Sequence, residues 1–121
     1  MLDLLGQAGG LPTITLIAVP VGETPIQHVR NALMLLALLR DMSPAVWHTN
    51  PELERAQRRA EAAVMLLEHG GPPLCGAHHL RRAIEALLQA DLDWEVVDII
   101  PAAMARLFSA WFPLMASAEK N

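Results

Sequence analysis

Cys75, His78, His69 and His79 are the residues of this sequence whose types and spacing could do chemistry. They occur together in E-H-G-G-P-P-L-C-G-A-H-H. Cys75 and His78 have the separation of a metal-binding pair, and a thiolate with imidazoles suits zinc. A structural zinc site takes four ligands, however, and the customary second pair is missing. His28 and His48 would have to fold back from far along the chain. Chance matches to so short a motif are common. The plainer reading makes Cys75 a small buried residue and puts the histidines at the start of an exposed helix turn. No metal or cofactor is expected.

Catalysis by a nucleophile has less behind it. Cys75 and a histidine form a dyad only if the fold brings them into contact. No G-x-S-x-G elbow is present. G-G-P-P lacks the Lys and Ser or Thr that complete a phosphate-cradling loop. Glu54 and Glu61 lie one heptad apart on a common helix face, but Arg58 stands between them, as on a solvated face. The chain reads as a non-enzyme.

The arginines are the other chemistry-bearing group. Arg55, Arg58 and Arg59 precede Arg81 and Arg82 on a second segment. Together they could form a basic patch for nucleic acid. Glu52, Glu54, Glu61 and Glu85 dilute that patch, and the link between the two segments is too long and proline-rich for a helix-turn-helix. A net charge of −4 points the same way. A mixed-charge solvated face is preferred. A nucleic-acid-binding transcriptional regulator using these arginines is the alternative.

Composition bounds the rest. The 121 residues are 53% hydrophobic and 18% charged, where about 45–50% and about 25% are usual. One core can form in a chain of this length, and the surplus of Leu, Ile, Val and Met needs cover from another chain. The single Cys75 excludes an internal disulfide and suits a reducing compartment. Near the N-terminus an acid, Asp3, replaces the basic run of a signal peptide. The run Leu33 to Leu39 falls well short of the roughly 20 residues of a membrane-spanning helix. No other stretch is read as long enough, so a soluble cytoplasmic protein is expected, with no membrane partner.

The elements that must position these groups are helical. From Thr24 to Met42 the sequence opens with a cap and a first-turn proline, then becomes apolar on every side. Met34 and Leu38 fall where water should be. Such a helix is expected to be central, packed on at least two sides. Before it, Leu11 to Val21 alternates like a strand with no second strand in the chain to pair with, and is expected as an extended arm that either lies over the helices or pairs with the same segment of another copy. Pro44 ends the helix, and Trp47 in the following linker plugs the core.

Asn50 and Pro51 repeat the cap-then-proline pattern. They open a second helix to about His69, with Leu53, Ala56, Ala60, Ala63, Val64 and Leu67 inward. Gly70, Gly71 and Pro72 stop it. A third helix runs from about Gly76 to Ala90, with Leu80, Ile84, Leu87 and Leu88 inward. The last stretch begins at Trp94 and holds Pro101, which predicts a kink there or a short helix followed by a longer one. The tail from Ser117 to Asn121 is expected to fray.

The whole is expected to be one all-α domain, residues 1–121: an arm over 1–22, helices over 23–116 in a four-helix bundle-like arrangement with a kinked last helix, and a tail over 117–121. The expected role is a protein–protein interaction module, a small helical adaptor, chaperone or regulator. It would work as a homo-oligomer, a homodimer being the simplest, or on a larger protein. Met104, Leu107, Phe108, Trp111, Phe112 and Met115 share one broad arc of the last helix and are the expected partner-binding residues. Aromatics and Met are enriched at interface centres.

Overall fold

The computed structural model describes residues 23–90 and 98–120, with side chains as far as Ser117. The arm expected over 1–22 and the region of Trp94 lie outside the described residues. Among the described residues there are five helices and no strand: α1 Pro25–Met42, α2 Pro44–Thr49, α3 Pro51–Glu68, α4 Pro73–Gln89 and α5 Ile99–Lys120.

Local signals set most of the ends. Thr24 caps α1 through a reciprocal box: its hydroxyl accepts from the Gln27 N–H at 3.2 Å, and the Gln27 side chain accepts from the Thr24 N–H at 2.8 Å. The stop after α3 is a Schellman turn. Gly71 N–H donates to the Leu66 carbonyl at 2.8 Å and Gly70 N–H to that of Leu67 at 3.1 Å. Gly70 sits at φ 76°, in the left-handed region that a Cβ disfavours. Pro73 then occupies the first position of α4, so that helix begins three residues before Gly76.

Two local expectations need correction. The linker holding Trp47 is itself a helix, α2, because Ser43 closes α1 and Pro44 supplies a preset first position for a new turn. Trp47 is buried as expected, with the Arg40 guanidinium 5.7 Å from its ring centre. Asn50 does not cap α3 through its side chain. Its Nδ2 turns back and donates to the Val46 carbonyl at 3.0 Å, satisfying the end of α2 instead.

Packing joins α1 to α5, α5 to α4, α4 to α3 and α3 to α1, so the four long helices close a ring around one core. Val29, Leu36 and Leu39 of α1 meet Leu53 of α3, Leu80 of α4 and Leu107 of α5 inside it. Ala56, Ala60 and Ala63 are fully buried, and small residues at such a seam let helices approach closely. At Gly76 of α4 an added Cβ would lie 2.9 Å from a Leu67 methyl of α3.

α1 packs against α5, α3 and α2, the two or more sides expected of it, but the ring has no central member, so no helix is enclosed on every side. One side of each helix must face out, whatever its composition. On α1 that side carries Met34, 69% exposed, with Leu38 and Met42. Leu88, expected inward, is likewise exposed; Leu87 takes the core position beside it.

α5 bears on three further expectations. Pro101 falls in its first turn, where the missing N–H costs nothing. The proline able to bend the helix is Pro113, which removes an interior hydrogen bond. The helix continues through Ser117 to Lys120. Its segment Ile99–Ser117 is also long and apolar enough, by length and composition, to cross a membrane. Continuous runs such as Leu33 to Leu39 do not reveal it, because Arg106 interrupts it. Its inner residues Ile100, Ala103, Leu107, Ala110 and Leu114 belong to the shared core, and 28% of the segment is buried in the bundle.

Candidate functional site

α5 shows three faces at helical spacing. Ile100, Ala103, Leu107, Ala110 and Leu114 point inward. Met104, Trp111 and Met115 flank them and pack partly against the core. Phe108, 36% exposed, and Phe112, 60% exposed, look outward. The six expected contact residues therefore divide. Leu107, at 0% exposure, is a core residue no partner can reach. The arc that helical spacing defines spans both the inner face and its flanks, and only packing shows where the inner face ends.

The outward group is built as a unit. Phe108 and Phe112, one turn apart, stack with ring centres 6.1 Å apart and planes at 26°. Trp111 meets Phe112 edge to face at 5.0 Å. Such pairs order the rings before any partner arrives. Trp111 and Met115 also line a groove of about 280 Å³ with Leu74, Ala77, His78 and Arg81 of α4. Leu74 is itself exposed, so apolar surface continues from α5 onto the start of α4.

A second apolar groove, about 480 Å³, lies along α1. Met34, Leu35, Ala37 and Leu38 line it, with Asn31, Asp41 and Arg106 supplying polar groups. Met34 and Leu38, which fall on the polar side of the helix by spacing, are both exposed here.

Beside this groove sits a polar cluster that no local motif announced. Arg106 Nη1 donates to Glu23 Oε1 at 2.5 Å and to His28 Nδ1 at 3.3 Å. Asn31 Nδ2 donates to Glu23 Oε2 at 3.2 Å. His28 is buried. Burial pushes its pKa below the ordinary value; Glu23 opposes this and Arg106 reinforces it. An arginine only donates, so Nδ1 accepts and the neutral ring carries its proton on Nε2. The cluster joins the entry of α1 to the middle of α5. It contains no nucleophile, and Nη1 of its arginine is shared between Glu23 and His28.

The cysteine and histidines do not assemble. Cys75 is exposed, against the buried position expected; it falls on the outer side of the first turn of α4, whose inward place goes to Gly76 and Ala77. His69 Nδ1 donates to the Met65 carbonyl at 2.7 Å. His79 Nδ1 accepts from Arg59 Nη1 at 3.3 Å. Burial, and then Arg59 and His78, hold the His79 pKa below the usual histidine value. Among the described residues no three of His, Cys, Asp or Glu come close enough to hold a metal ion.

The arginines are partly neutralised. Arg58 meets Glu54 at 2.8 Å, the i,i+4 pair the spacing suggests. Arg81 and Arg82 share Glu85 at 3.3 and 3.6 Å. Arg30 pairs with Glu68 across α1 and α3. Arg55, Arg59 and Arg82 line one groove between α3 and α4. No protein-family model, curated protein or solved structure matches this chain.

Proposed function

We propose that this chain is a non-enzymatic protein–protein interaction module that docks through the outer face of α5. The observation that carries this reading is the stacked, exposed pair Phe108 and Phe112, with the half-buried Trp111 packed edge to face on Phe112. Large aromatics held in place before contact lose little freedom on binding and often supply most of an interface's energy. Met104 and Met115 beside them add adaptable apolar contact. A second copy of the chain is the first occupant to test, in keeping with a small adaptor, chaperone or regulator that acts as a homodimer. The single free thiol accords with a reducing, cytoplasmic setting. A nucleic-acid-binding regulator is favoured only by the α3–α4 arginines, which share their helices with Glu52, Glu54, Glu61 and Glu85.

Sedimentation equilibrium at micromolar concentration tests the proposal. The wild type should weigh at least twice the 13.2 kDa of one chain. Phe112→Glu should keep its helical circular dichroism and fall to the mass of one chain, because it buries a charge in the contact. A wild type that stays at 13.2 kDa throughout overturns self-association. A Phe112→Glu variant that assembles like the wild type removes α5 as the contact.

A further inference from the structure

The groove between α3 and α4 carries charge that the fold leaves largely uncompensated. Arg55 and Arg59 stand one turn apart on α3, and Arg82 faces them from α4; Glu85, Ala86 and Gln89 complete a pocket of about 130 Å³. The seam beneath is made of small residues, Ala56 and Ala60 on one side and Ala83 and Ala86 on the other, all buried. Close packing of the two helices brings their guanidiniums to one place.

The partners of these arginines are unequal. Arg82 shares the single carboxylate of Glu85 with Arg81, at 3.6 and 3.3 Å. Arg59 donates to His79 Nδ1 at 3.3 Å, a neutral acceptor that orients the guanidinium without cancelling its charge. Arg55 has no ion pair or hydrogen bond among the described residues. Three guanidiniums thus face one carboxylate that is already shared, in a chain whose net charge is −4.

We propose that this groove binds a phosphate group carried by a small soluble molecule. A guanidinium offers paired N–H donors in a planar fork that matches phosphate oxygens. Three of them converging from two helices suit a group with several terminal oxygens, and the Gln89 amide is a further donor. The groove's volume of about 130 Å³ suits a compact anion. A long polyanion would run past Glu54 and Glu61 on α3, which repel it. The site lies on α3 and α4 and is independent of docking through α5.

Pyrophosphate is the probe. Isothermal titration of the full chain at low ionic strength should show saturable binding. Arg55→Gln and Arg82→Gln should each weaken it by about tenfold, since charge-assisted hydrogen bonds to an anion are lost. Arg58→Gln removes a charge from α3 outside the pocket and should leave it unchanged. Glucose 6-phosphate, a soluble phosphomonoester, should bind and compete. Absence of saturable pyrophosphate binding overturns the proposal. So does an equal loss in Arg58→Gln, which would reduce the effect to overall charge. A single-stranded oligonucleotide that binds with a steep salt dependence, and that pyrophosphate does not displace, would also overturn it and assign the arginines to nucleic acid.

Discussion

Arg106, in the middle of α5, reaches the carboxylate of Glu23 just before α1, although 83 residues separate them; Nη1 lies 2.5 Å from Oε1. Both side chains are about four-fifths shielded from water, at 21% and 24% exposure. Loss of the arginine would leave the carboxylate with the Asn31 amide but no counter-charge, and would remove the donor to His28. Arg106→Ala should therefore lower stability by about 1–3 kcal/mol. Arg58→Ala, which breaks an exposed pair, should stay within about 0.5 kcal/mol. Urea denaturation of the two variants checks this, and equal effects would show that the α1–α5 tie contributes nothing special.

Stability should fall with acid through His28. The folded state holds this histidine below its ordinary pKa of 6.5. The unfolded chain takes up the proton first, so stability is lost as pH drops from 6.5 towards the lower folded-state value. Above that window the contribution is flat. His79 is shifted in the same direction and adds to the slope. The urea midpoint of the wild type should decline over this range more steeply than that of His28→Gln. Parallel curves would remove His28 as the cause.

Leu107 and Trp111 lie one turn apart on α5 and should respond differently to truncation. Leu107 is wholly enclosed, so Leu107→Ala should cost about 2–5 kcal/mol by leaving a cavity. Trp111 is half-buried between the core and the α4 groove. Trp111→Ala should leave a folded, helical chain that assembles less well. Circular dichroism and sedimentation separate the two effects, with dilution of the wild type as control, because folding and assembly can be one event in an obligate oligomer. Complete loss of helicity in Trp111→Ala under conditions where the diluted wild type stays folded would make this tryptophan core instead.

Cys75 should react fully with a disulfide-exchange reagent in the native protein, without denaturant, because it is exposed. Chelator should leave the thermal midpoint where it was, and Cys75→Ser should shift stability by no more than about 0.5 kcal/mol. A protected thiol, or a marked fall in Tm with chelator, would make Cys75, His78 and His69 the first ligands to test.

The sequence by itself determined what depends on neighbours along the chain. Thr24 with Gln27, the prolines at helix starts and the Gly70–Gly71–Pro72 stop act through hydrogen bonds and dihedral limits within a few residues. The inner faces of α3 and most of α4 were legible because polar residues mark the other side at helical period. Tertiary structure decided the rest. Gln27, Arg30 and Asn31 put Met34 and Leu38 on the wet side of α1, but between Leu33 and Leu39 no polar residue marks that side, so only the ring of four helices shows that it stays uncovered. Leu87 and Leu88 are neighbours of one type, and the approach of α3 and α5 chose between them. Pro101 looked disruptive until the start of α5 at Ile99 put it in a turn with no bond to lose. The contacts of Arg106 with Glu23 and His28, and the meeting of Arg55, Arg59 and Arg82, join residues from separate helices. Charge and chemistry can be read residue by residue, but which groups meet depends on how amphipathic faces pack, and that is a property of the assembled bundle.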